Sequence, residues 1–167
     1  MKTLVLGLGN PIHGDDGVGN QIAEILKSEV SIPEVTVVEA SSSGLDLLGL
    51  IEGYERVIII DAIQTKRGEV GQIYRLSLDD FATPRHFSGA HSVDFVTAVE
   101  LGNRLGLTLP CEIIIFAIEV ADVTSFSEEF TPEVQRAIPE VVGLVLSELG
   151  GTDWPESRKS SHQFPGL

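Results

Sequence analysis

Two stretches of the chain, RVIIIDAI from Arg56 and CEIIIFAIEV from Cys111, run through consecutive apolar residues with no polar alternation. A strand with one face in water alternates, so an unalternated run needs cover on both faces. KTLVLGLG from Lys2 and EVTVVEA from Glu34 read as two further strands. GEVGQIYRLSL alternates and reads as an edge strand or hairpin arm. Amphipathic segments lie between the strands. GVGNQIAEILKSEV carries Val18, Ile22, Ile25 and Leu26 at helical spacing, and SGLDLLGLIEG makes a short helix. HSVDFVTAVELGNRLG predicts a helix with Phe95, Ala98, Leu101 and Leu105 on its stripe. The last helix buries Val134, Ile138, Val141, Val145 and Leu149. Thr131 caps it, Pro132 takes its first position, Gly150 follows its end, and Pro139 is expected to kink or break it. The β-α-β-α-β order predicts a mostly parallel sheet with helices on both faces.

A length of 167 residues bounds the chain to one domain, expected over residues 1–149, with the Gly-, Pro- and Ser-rich stretch 150–167 as a disordered tail. The net charge of −14 excludes nucleic acid and anionic membrane surfaces as natural partners. Cys111 is the sole cysteine, so neither an internal disulfide nor a cysteine-based zinc site is available, and at the head of an apolar run it reads as a buried small hydrophobe. The opening apolar run is too short for a signal peptide, and no stretch approaches the roughly 20 apolar residues of a membrane span. A cytoplasmic protein is expected.

In an open α/β sheet, ligands bind beyond the carboxyl ends of the strands. Polar clusters fall at these ends: Asn10 to Gly19, the ASSSG from Ala40 to Gly44, and Asp61, while His91 stands at the start of a helix. Gly7-x-Gly9 suggests a dinucleotide loop, but Ile12 occupies the place of the third glycine, and Asp15–Asp16 would oppose a pyrophosphate. One of these aspartates reads as a helix cap, which leaves the other free. Asp61 is carried to the sheet rim by Val57–Ile60, where a turn or capping role is its simplest use, and His91 taken singly reads as a helix-start residue. The serines of ASSSG read as caps for the short helix beside a substrate, because no elbow supports a nucleophilic serine.

Asp16, Asp61 and His91 lie 45 and 30 residues apart, so only the fold could bring them together. Two carboxylates and an imidazole suit a borderline divalent ion such as Ni²⁺ or Zn²⁺ with positions left open. Alternatively, a carboxylate acts as base towards a water.

The stretches GLGNPIHGDDGVG, DLLGLIEGYERVIIIDAI, SGAHSVDFVTAVELG and PEVQRAIPEVV resemble the hydrogenase maturation proteases, endopeptidases that trim the C-terminal tail of the NiFe hydrogenase large subunit. The likeness covers roughly residues 1 to 149. It implies a three-layer α/β/α sandwich of phosphorylase/hydrolase-like kind and an aspartic-type activity. It implies also a ligand set of Asp16, Asp61 and His91 that grips nickel carried in by the large-subunit precursor, with other divalent ions substituting in the isolated protein. Asp15 is then a structural cap. His86, five residues before His91, is the alternative imidazole. The implied cofactor is thus nickel delivered in the substrate, and the implied partner is the precursor itself.

Two rivals remain at this point. Peptidyl-tRNA hydrolases open with a similar GLGNP, but here Asp15–Asp16 stand where their catalytic histidine is expected, and the acidity suits tRNA badly. A non-cleaving nickel- or hydrogenase-binding module of the same fold is the other.

Overall fold

A computed structural model of the chain describes residues 1–41, 44–81, 90–121 and 126–150, and of residues 81 and 90–94 the backbone only. The unalternated runs form β1 (Thr3–Leu8), β2 (Val35–Ala40), β3 (Arg56–Ile63) and β5 (Glu112–Glu119), all parallel. The alternating segment forms β4 (Ile73–Ser77), which pairs antiparallel with β5 at the sheet edge. The strand order is β2-β1-β3-β5-β4.

The alternation of each strand divides the core in two. Leu4, Leu6, Val57, Ile59, Ile113 and Ile115 face one side with α2 (Asp46–Ile51) and α4 (Ala90–Arg104). Val5, Ile58, Ile60, Ile114 and Phe116 face the other with α1 (Val18–Glu29) and α5 (Pro132–Gly150). Helices on both faces of a mostly parallel sheet make the expected three-layer α/β/α sandwich. Full burial of each such aliphatic side chain contributes about 1.5–3 kcal/mol. The short α3 (Leu78–Phe81) follows β4.

Two helices depart from their sequence stripes. In α4, Phe95, Ala98 and Val99 are buried, whereas Leu101, and Leu105 just past the helix end, are exposed. The helix closes on the core through Gly102, where even a Cβ would lie 3.0 Å from Leu109 and 3.1 Å from Leu48, so contact is made on the glycine side and Leu101 turns away. In α5 the predicted stripe is buried apart from half-buried Leu149, and the helix continues unbroken through Pro139 to Gly150. Cys111 precedes β5 and is exposed, its thiol donating to the Glu55 carbonyl, so it is no core residue. The expected tail, residues 151–167, lies outside the described residues.

The direction of α4 matters for the site. Beyond Arg104 the chain reaches Thr108, whose carbonyl accepts from the Gly53 N–H, and Cys111, whose N–H donates to Glu55 just before β3. The end of α4 therefore lies at the amino edge of the sheet. Its 15 residues rise about 22 Å, which returns its first turn to the carboxyl edge.

Candidate functional site at the carboxyl edge

The first loop folds tightly onto the strands that carry it. A 3-10 turn, Gly14–Gly17, runs directly into α1 and packs against β3. Glycine permits this at Gly19: a Cβ there would sit 2.2 Å from the Leu8 carbonyl oxygen and 2.4 Å from that of Ile60. At Gly9 the backbone adopts φ +146°, and a Cβ would lie 1.9 Å from the Asp16 carbonyl oxygen. The glycine spacing that suggested a dinucleotide loop thus serves helix-on-strand contact.

The turn buries both of its aspartates, Asp15 at 4% and Asp16 at 8% exposure. Neither caps the helix that follows, since the N-cap of α1 is Gly17 and no side chain caps it. Asp15 instead accepts from the Thr131 N–H at 2.7 Å and the Thr131 hydroxyl at 2.8 Å. It therefore braces the start of α5, and the Thr131 hydroxyl that was expected to cap its own helix is turned to Asp15. Asp16 Oδ2 accepts from the Asn10 N–H at 3.0 Å, which closes the loop on itself. Its Oδ1 makes no hydrogen bond among the described residues. A nearly buried carboxylate with one uncommitted oxygen is a suitable donor to a divalent ion or acceptor of a proton.

Asp61 is buried in β3, one residue past Ile60, which is in register with Gly7 of β1. Strand alternation puts it on the face that α2 and α4 cover, and its Oδ1 accepts from the Ala62 N–H at 2.8 Å. Asp16 thus lies in the loop after β1, and Asp61 lies within neighbouring β3, two residues before its end at Ile63. His91 is the second residue of α4, in the turn that returns to this edge. Its ring lies outside the described residues, as do His86, Ser42 and Ser43. Among the described residues no three His, Cys, Asp or Glu side chains form a group able to hold a metal.

A further buried carboxylate escaped the sequence reading. Glu119, 2% exposed at the end of β5, accepts from the Thr65 N–H at 2.6 Å, the Thr65 hydroxyl at 3.0 Å and the Tyr74 hydroxyl at 2.9 Å. Burial, and then the hydrogen bond to Glu119, push the Tyr74 phenol above its ordinary value. Gly71 N–H donates to the Glu119 carbonyl, so this one residue fixes the connection after β3 from both its ends. Its signal was present in IIIFAIE, an apolar run closed by an acid, the same pattern that marks Asp61.

The model of the hydrogenase maturation protease family matches residues 20–148, a span that holds Asp61 and His91 and begins four residues after Asp16. The chain is 33% identical over 152 residues to the Hydrogenase 2 maturation protease of Escherichia coli, covering 89% of this chain and 91% of that one. It is 30% identical over 160 residues to the Hydrogenase expression/formation protein HupD of Bradyrhizobium diazoefficiens, covering 90% and 81%. Its fold is similar to that of the E. coli hydrogenase maturating endopeptidase HybD, with a TM-score of 0.78 at 23% identity over 91% of this chain and 94% of that one. The [NiFe] hydrogenase maturation protease HybD from Thermococcus kodakarensis gives a TM-score of 0.68 at 24% identity over 89% and 99%.

Proposed function

The chain belongs to the hydrogenase maturation protease family and is a peptidase, and from that premise we propose that it removes the C-terminal extension of a nickel-loaded NiFe hydrogenase large-subunit precursor. The observation that carries this reading is the pair of buried carboxylates, Asp16 in the loop after β1 and Asp61 near the carboxyl end of neighbouring β3, with one oxygen of Asp16 uncommitted among the described residues. Family membership sets aside the peptidyl-tRNA hydrolase and non-cleaving alternatives.

Nickel enters as part of the substrate. Two carboxylates and the His91 imidazole are borderline-to-hard ligands and too few to hold a divalent ion firmly. Such a set recognises a metal that already has other ligands, and it releases the product once the bond is cut. Hydrolysis also needs a water that loses its proton as it attacks, and Asp16 is a carboxylate able to take it. The aspartic-type character rests on that role. Other divalent ions occupy the set weakly in the isolated protein. The reaction belongs to the cytoplasm, where an exposed free thiol such as Cys111 persists in reduced form. No described helix is long and apolar enough to cross a membrane.

The test is the intact mass of the precursor after incubation with the protein. Nickel-loaded precursor should lose its extension, and nickel-free precursor should keep it. Equal cleavage of both would remove the metal from the account, and cleavage of neither would remove the substrate.

A further inference from the structure

The connection between β3 and β4 is held more tightly than a surface loop requires. The Thr65 N–H and hydroxyl both donate to the buried Glu119 carboxylate, and Gln64 Nε2 donates to the Ala121 carbonyl at 2.7 Å. The Thr65 hydroxyl also accepts from the Gly68 N–H at 2.8 Å, which closes a bend. Gly68 rests directly on Glu119, since a Cβ there would lie 2.1 Å from Oε2. The central residues of the bend are Lys66 and Arg67, both exposed.

Charge sets these two apart. The chain has 25 acidic residues against 11 lysines and arginines. Lys27, Arg56, Arg75 and Arg136 each pair with a glutamate, and Lys2 lies over the Tyr54 ring. Lys66 and Arg67 form no ion pair among the described residues, although Glu69 stands two positions beyond Arg67. Adjacent cations repel each other, and ordering a bend costs backbone entropy. Solubility alone calls for neither, because mobile side chains solvate as well as fixed ones. Fixed cations are of use where their position matters. The bend follows the strand that carries Asp61, five residues before Lys66, so it presents both charges at the carboxyl edge.

The chemistry of the pair selects a carboxylate, which an arginine fork binds bidentately and a lysine neutralises. A nucleic acid offers the same sign of charge, but its continuous anionic backbone would meet the −14 of the rest of the chain. A polypeptide brings single carboxylates without that penalty. Resting on the proposed cleavage, we infer that the Lys66–Arg67 bend docks an acidic side chain of the precursor polypeptide. It orients the precursor and takes no part in breaking the bond.

KM and kcat for tail removal are measured for Lys66→Gln, Arg67→Gln and the double variant. Arg104→Gln, at the opposite edge of the sheet, is the control for an equal loss of charge. Each single change in the bend should raise KM about threefold and the double change about tenfold, with kcat within about twofold. Arg104→Gln should leave KM unchanged. The gap between wild type and double variant should close as salt rises from about 0.05 to about 0.5 M. Precursors with exposed aspartates or glutamates changed singly to Asn or Gln should include one that reproduces the loss and adds nothing on top of the double variant. Unchanged KM in the bend variants, an equal effect of Arg104→Gln, a gap indifferent to salt, no effect of any precursor change, or additive losses would overturn the inference. If the wild-type protein cuts no precursor, the cleavage proposal fails separately. The affinity of uncut precursor then decides the docking: a loss of about tenfold in the double variant upholds it, and equal affinity refutes it.

Discussion

Asp15 and Glu119 are buried at the same edge of the sheet as Asp16 and Asp61, yet their hydrogen bonds span very different lengths of chain. Asp15 reaches Thr131 across 116 residues, and Glu119 reaches Thr65 and Tyr74 across 54 and 45. Asp16 accepts from Asn10, six residues away, and Asp61 from its own neighbour Ala62. The first pair joins distant elements and sets the shape of the edge. Each acid of the second pair accepts from a backbone donor close in sequence, and Asp16 keeps one oxygen uncommitted among the described residues. Burial alone therefore does not mark a reactive acid, and the long-range hydrogen bonds of Asp15 and Glu119 mark those two as braces.

Substitution should split the two pairs by readout. The largest effect is expected for Asp16→Asn and Asp61→Asn, each lowering tail removal by about 10³-fold while shifting unfolding free energy by no more than about 1 kcal/mol. Parallel cleavage and urea-unfolding assays would reveal a breach of that contrast. Next comes Glu119→Ala, which strands the Thr65 N–H, the Thr65 hydroxyl and the Tyr74 hydroxyl and should cost about 3 kcal/mol in the same denaturation. Asp15→Ala should cost about 2 kcal/mol by loosening the start of α5, and hydrogen exchange should show faster opening of that helix's first turns.

The smallest effect is that of Tyr74→Phe, about 1 kcal/mol at neutral pH. Because the folded phenol titrates above its unfolded value, its contribution is complete below about pH 10 and is lost as pH rises beyond that. Alkaline unfolding curves should therefore fall more steeply for the wild type than for Tyr74→Phe. Equal slopes would detach Tyr74 from the Glu119 brace.

Much of this architecture was legible because strand burial writes itself as unbroken apolar runs. RVIIIDAI and CEIIIFAIEV lead to covered strands, GEVGQIYRLSL to the edge, and the acid closing VIIID to the carboxyl end of β3, although the strand continues two residues beyond it to Ile63. Tertiary pairings were not legible. No local pattern announces that Asp15 meets Thr131, and the capping logic that assigned Thr131 to its own helix cannot see a partner in another loop. The phase of α4 is hidden for a related reason: spacing favours the large Leu101 and Leu105, but close approach at Gly102 rotates the helix towards its small residues. Cys111 heads an apolar run in the sequence, but the strand starts one residue later and leaves its thiol exposed.

The proposed site requires two acids and one imidazole, remote in sequence, to share a point above the sheet. A crystal soaked with Ni²⁺ or Zn²⁺ tests it most directly. One ion should be bonded at about 2.0–2.2 Å by carboxylate oxygens of Asp16 and Asp61 and by a ring nitrogen of His91. An ion held by the acids with the His91 ring turned away, or no ion near either acid, would contradict it.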